Sequence, residues 1–249
     1  MTPVPDAVKR AARLLDACLA MRRRAIRFRD ANIRVVNPRW WPDARQESFD
    51  DEIAPYFTVL RDSTPDGAIL DAGAAVGLFS VAAGVAFPSA SIVAFEPSLR
   101  QRVLLRRNLR MNGMAGRVDI VPRALWNNEE ALTFRTHGAM SAVHGASSAL
   151  AEMPFHESVR ATTLDNWAKE HSSTKVGLIK MDIEGSEVEA LQGAGEVLRG
   201  QRPVLLIQAY HLRDGKRTFE TCAELLRGFG YNPVEPDACP GLIYAQSPH

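Results

Sequence analysis

The chain has 249 residues, 46% of them hydrophobic and 24% charged, with a net charge of +1. That balance excludes a disordered or fibrous chain and allows one large domain with a buried core. No apolar run reaches membrane-span length, no secretory-type apolar core follows the N-terminus, and three cysteines without a CxxC pair build neither a disulfide framework nor a zinc site, so a soluble cytoplasmic protein is expected.

The charge is uneven, because residues 1–34 hold nine Lys/Arg against three Asp/Glu. Residues 5–30 are expected to form a helix with Asp6 near its start and Val8, Ala12, Leu15 and Leu19 on one face. Residues 1–40 are therefore read as a basic helical N-terminal extension and residues 41–249 as the main domain. The plain expectation for the arginines is a solvated face, and the functional one is contact with an anionic membrane or a partner. A Pro-rich break, NPRWWPD, precedes a helix expected over Phe49–Leu60 and capped by Ser48.

From Ala68 onward, short apolar strands alternate with helical stretches: AILDAG, LFSVAAGVAF, SIVAFEP, LRQRVLLRRNLRMNG and VDIVPRAL. This is the grammar of an α/β, Rossmann-like doubly wound sheet. LTFRT and VRATTL read as an extra strand pair around a small-residue loop, His137 to Met153, a candidate acceptor lid. The grammar resumes with the strand VGLIKMDI, a helix over EVEALQGAGEVLR, the strand PVLLIQAYH, a helix over FETCAELLRGFG and two closing strands, which give a mostly parallel sheet with an antiparallel C-terminal strand.

The segment ILDAGAAVGLFS is a strand, a glycine-bearing turn and a helix start. Gly73 and Gly77 suit a tight turn close to a ligand. The spacing is GxxxG rather than the GxGxxG of a pyrophosphate site, so a dinucleotide is not the expected guest. The next strand ends in AFEPS, placing Glu96 where an acid can accept both hydrogens of a ribose diol. S-adenosyl-L-methionine has a ribose, a cationic sulfonium and an amino-acid end but no phosphate, and Asp71 near the turn favours its positive charges.

The sequence resembles the FkbM-like family of class I S-adenosylmethionine-dependent methyltransferases from about Ala68 to Tyr231. The resemblance is carried in order by LDAGAAVG, AFEPS, RRNLRMNG, VPRALW, ATTLDNW, KMDIEGSEVEALQGA and RPVLLIQAYH. It implies that Asp71, Gly73, Ala74 and Gly77 line the methionine end and that Glu96 binds ribose. It also implies that Pro97, Ser98, Ala124 and Leu125 lie near the adenosine and that Asp182 sits beside the transferred methyl. The chain departs from the family's usual pattern at Ala75-Val76, where Asn-Ile is common, and at Gln208, where a glutamate is common. A fully carboxylate metal site is thereby put in doubt.

Strands ending near Asp71, Glu96, Asp182 and His211 place all four along one rim, where such sheets bind ligands. An acceptor hydroxyl needs a base, and the candidates are Asp182, by position, and His211, by its ordinary pKa. If strand geometry persists, Lys180, Asp182 and Glu184 share a face, and Lys180 then pairs structurally with one of the two acids. Glu184 can otherwise serve the helix that follows. Two carboxylates two residues apart are thin ground for Mg²⁺, so no metal ligand is assigned; His137, His144 and His156 are too irregularly spaced for zinc. The expected activity is O-methylation of a hydroxyl on a small molecule or carbohydrate. No nucleic-acid partner is expected, since no NPP[YF]-like segment follows KMDIEG. The alternatives are a non-catalytic cofactor-binding homologue and a nicotinamide-dependent oxidoreductase.

Overall fold

The computed structural model describes residues 21–38, 45–60, 63–137, 140–143, 155–213 and 215–247. Its first element corrects an expectation. Residues 21–38 form an antiparallel hairpin rather than a helix, with β1 (Met21–Phe28) and β2 (Ala31–Pro38) in register from Phe28 opposite Ala31 to Met21 opposite Pro38. Ile26, Phe28, Ile33 and Val35 are buried, while Arg23, Arg27 and Arg34 between them are exposed. At a period of two these apolar residues share one face; on a helix they would fall on opposite sides. Residues 1–20, where the predicted helix begins, lie outside the described residues.

Two short helices, α1 (Gln46–Glu52) and α2 (Ala54–Val59), stand where one was expected. Pro55 opens the second, and the first starts after Arg45 with no side-chain cap, so Ser48 lies inside it. The chain then runs through β3 (Ala68–Ala72), α3 (Leu78–Ala86), β4 (Ile92–Phe95), α4 (Leu99–Met111), β5 (Val118–Val121), β6 (Ala124–Leu125), β7 (Ala131–His137), β8 (Met140–Val143) and β9 (Phe155–Thr162). It continues as α5 (Leu164–Glu170), β10 (Val176–Met181), α6 (Glu187–Gln192), α7 (Gly195–Gly200), β11 (Val204–Gln208), β12 (Leu212–Arg213), β13 (Lys216–Arg217), α8 (Thr218–Gly228), β14 (Asn232–Val234) and β15 (Leu242–Gln246).

The main sheet has seven strands in the order β14-β15-β11-β10-β3-β4-β5. The five from β11 to β5 are parallel, and β15 is antiparallel to both of its neighbours. This is the doubly wound, mostly parallel sheet read from the sequence. Strand order reverses between β3 and β10, the switch point at which such sheets open a crevice beyond the strand ends.

Alternate residues feed two cores. Leu70, Ile179 and Leu205 point to one face, with Trp167 of α5, Leu191 of α6, Leu198 of α7 and Leu226 of α8. Ile69, Leu178 and Leu206 point to the other, packed with Phe79 of α3, Leu105 of α4 and the hairpin residues Ile26 and Ile33. Each such side chain contributes about 1.5–3 kcal/mol on burial, so the hairpin is part of the core layer.

A second sheet, ordered β6-β9-β7-β8, contains the expected strand pair and adds β8 within the predicted lid. The rest of that loop, residues 138–139 and 144–153 with His144 among them, lies outside the described residues, as does the His137 side chain, and His156 is exposed. Among the described residues no helix is long and apolar enough to cross a membrane.

Candidate active site

β3 ends where a small, buried sequence must turn sharply. Gly73 has φ +77°, and a Cβ there would collide with the Asp182 carbonyl oxygen, while the Asp182 amide donates to the Ala72 carbonyl at 3.1 Å. Gly73 is therefore required because the start of the β10 loop packs against the turn. Gly77, at φ +87°, caps α3 and lies against the Leu105 side chain. Ala75 is held at φ +49°, a left-handed conformation that costs a residue with a Cβ about 1–2 kcal/mol.

Four amide hydrogens of this turn are already used. Gly73 and Ala74 donate to the Phe95 carbonyl, both at 3.1 Å, Gly77 donates to the Ala74 carbonyl, and Ala75 donates to Glu96 Oε2 at 2.8 Å. Glu96 Oε1 accepts from the Ser98 amide at 2.8 Å. The buried Glu96 carboxyl is pushed up to about 7 by desolvation, against the pull of these two amides.

Lys180 corrects the pairing expected from strand alternation. It is the register partner of Asp71, and its Nζ lies 3.1 Å from Asp71 Oδ1, with both side chains buried. Ser80 donates to the other Asp71 oxygen at 2.6 Å, and Lys180 also donates to the Gly73 carbonyl at 3.1 Å. Burial opposes the lysine charge, but Asp71 holds the ammonium above its ordinary pKa. The pair fixes the turn to β10, with Asp71 fully buried and Lys180 reaching the wall of the adjoining cavity.

β10 stops at Met181, and the backbone departs from strand geometry, with Glu184 at φ +57° and Gly185 at φ +98°. Glu187 Oε1 accepts from the Ile183 and Gly185 amides and stabilises that loop. His211, three residues beyond β11, enters from the neighbouring strand. Its Nδ1 lies 3.2 Å from Glu187 Oε1 and its Nε2 lies 3.3 Å from Glu184 Oε2. Burial works against the imidazolium, but the two carboxylates outweigh it and push His211 up to about 10. Asp182, Glu184 and His211 bring ligand-type atoms within 4.8 Å of one another. Burial raises the Asp182 carboxyl to about 6, against the Lys180 charge.

A cavity of about 280 Å³ spans this rim. Of the predicted site residues it is lined by Gly73, Ala74, Glu96, Pro97, Ala124, Leu125 and Asp182, whereas Asp71, Gly77, Ser98 and His211 do not line it. Asp71 and Ser98 instead hold Lys180 and Glu96 in place.

A methyltransferase FkbM domain model matches residues 71–233. The chain belongs to the FkbM methyltransferase family. Methyltransferase 1 of Beauveria bassiana is 25% identical over 70% of the chain and 77% of its own length; methyltransferase sdnD of Sordaria araneosa is 28% identical over 51% and 60%. A solved FkbM methyltransferase from Methylobacillus flagellatus shares the fold with a TM-score of 0.53 at 20% identity, covering 72% of this chain and 43% of that one.

Several wall residues, inside the FkbM domain and before it, went unnoticed in the sequence. Tyr210, half exposed, and Ile53 from the α1–α2 break line the cavity, as do Phe79 and Phe134. Tyr210 adjoins His211 in the sequence and packs against it with the rings tilted by 32° and their centroids 4.3 Å apart, a signal that QAYH offered. Ile53 and Phe134 carried none, because their approach depends on tertiary packing.

Proposed function

We propose that this FkbM domain binds S-adenosyl-L-methionine and methylates a hydroxyl of a small molecule or carbohydrate. The observation that carries the reading is Glu96, a buried carboxylate with each oxygen oriented by one backbone amide, on the wall of a cavity beside a turn in which Gly73, Ala74, Ala75 and Gly77 donate their amide hydrogens internally. A diol-bearing, phosphate-free ligand fits that donor set: the carboxylate accepts from hydroxyls, and Gly73, Ala74 and Ala75 have no amide hydrogen left for a pyrophosphate. Pro97, Phe95, Ala124 and Leu125 add an apolar wall for a flat base.

When bound, the cofactor supplies a methyl group on an already activated sulfonium. The chain's own task is then to align the acceptor oxygen, exclude water and take one proton as the oxygen–methyl bond forms and the sulfur–methyl bond breaks. We assign that proton to Asp182, which lines the cavity. His211 does not line it and sits between Glu184 and Glu187, so Asp182 is the group placed to meet an acceptor.

Equilibrium dialysis with radiolabelled S-adenosylmethionine should show saturable uptake that is lost in Glu96→Ala. With tritiated donor and a panel of hydroxylated acceptors, Asp182→Asn should keep uptake and lose transfer by roughly 10²–10⁴-fold. Uptake indifferent to Glu96→Ala would overturn the reading.

A further inference from the structure

We propose that Asp182, Glu184 and His211 form a divalent-cation site, of the kind that accepts Mn²⁺, at the acceptor end of the cavity. Three ligand-type atoms from two neighbouring loops lie within 4.8 Å of one another. Metal ligands at bond lengths near 2 Å sit roughly 3 Å apart, so a modest inward swing of Glu184, whose side chain is 28% exposed, would close the set.

Two further observations point to a missing cation. His211 is only 6% exposed, and although both ring nitrogens are close to carboxylates, neither contact is aligned as a hydrogen bond. Asp182 Oδ1 is sealed from water and has no hydrogen-bond partner. Buried polar atoms left in this way are costly unless something fills the space between them. Lys180, whose charge also acts on Asp182, is bound to Asp71. Glu187 is fully buried, is anchored by two backbone amides and touches His211 Nδ1. That leaves Nε2 facing Glu184, the arrangement in which a carboxylate orients a metal-binding imidazole from behind.

The ligand set is two carboxylates and one imidazole, which suits Mn²⁺ better than the all-oxygen preference of Ca²⁺ or Mg²⁺. Asp182 and Glu184 both line the cavity, so an ion there would present open positions to an acceptor. An acceptor with two adjacent oxygens, such as a vicinal diol or a hydroxy acid, could chelate it, and the ion would acidify the bound hydroxyl. This use of the ion rests on the methyl-transfer reading; its binding does not.

The test is titration of the chelator-treated full chain with MnCl₂ alone, followed by loss of the free-ion electron paramagnetic resonance signal, with S-adenosylhomocysteine affinity measured in parallel. We expect saturation at one ion per chain. Glu184→Gln and Asp182→Asn should each weaken binding at least tenfold, and Glu187→Gln, a positioning change, by roughly 10–100-fold, all with S-adenosylhomocysteine affinity retained. His211→Gln should abolish binding; because that buried position risks misfolding, the part-exposed Glu184 variant decides. Absence of Mn²⁺ binding, or binding unchanged in Glu184→Gln, overturns the cation site while leaving the cofactor reading intact. Mn²⁺ binding without S-adenosylhomocysteine binding supports the cation site and sinks the cofactor reading instead.

Discussion

Glu96 accepts one amide hydrogen on each oxygen, yet burial still leaves its carboxyl at about 7. Only the ionised form can accept both hydroxyl hydrogens of a ribose, because the acid carries a proton that turns one oxygen into a donor. Cofactor affinity should therefore fall as pH drops through 7 and level off above it. Calorimetric titration with S-adenosylhomocysteine should show binding about tenfold weaker at pH 6 than at pH 8, as the ionised fraction dictates. A flat profile would mean that Glu96 does not meet the ligand as a carboxylate. The position of Glu96 was legible, since a carboxylate just after an apolar parallel strand must sit at the strand's carboxyl end. The fate of Asp71 was not, because its pairing with Lys180 depends on the register between β3 and β10, which no single segment encodes.

The basic hairpin shows how an element can be misread and how it is held. Its turn, Arg29-Asp30, lacks the Asn-Gly or Asp-Gly signature that announces two-residue turns, and Arg29 itself sits at φ +52°. The strand signal was only the alternation of Ile26, Phe28, Ile33 and Val35 among arginines, easily absorbed into a longer helical pattern. The hairpin is fixed by α4: Asn112 exchanges hydrogen bonds with the Arg34 backbone, and Asn108 bonds the Val36 amide at 2.7 Å and the Val76 carbonyl at 2.8 Å. Spaced four apart, the two amides present a strand-like edge from one helix face, which accounts for both asparagines of RRNLRMNG. Asn108→Ala would leave buried backbone groups unpaired on both the hairpin and the turn after β3. It should cost about 3 kcal/mol in denaturant unfolding; a loss below about 1 kcal/mol would mean that apolar contacts alone seat the hairpin.

At the scale of the whole molecule, the strands were legible because parallel strands buried on both faces read as continuous apolar runs, and the family followed from several motifs in fixed order. The composite site was less so. His211 meets Glu184 and Glu187 only because β11 lies beside β10, and the cavity wall at Ile53 exists only because α1 and α2 break apart. The same assembly separates two classes of ligand. A dinucleotide needs turn amides for its pyrophosphate, and in this fold those of Gly73, Ala74 and Ala75 are bound to Phe95 and Glu96. An adenosyl amino acid needs the diol acceptor, which is present. A ligand that binds only the folded chain at a hundred times its dissociation constant adds about 2.7 kcal/mol, or roughly 5–10 °C in a chain of this size. Thermal unfolding with S-adenosylhomocysteine should show that rise, NADH should leave the midpoint unmoved, and Glu96→Ala should abolish the response. A shift with NADH alone would require the β3 turn to surrender its hydrogen bonds to Phe95 and would return the fold to the oxidoreductase reading.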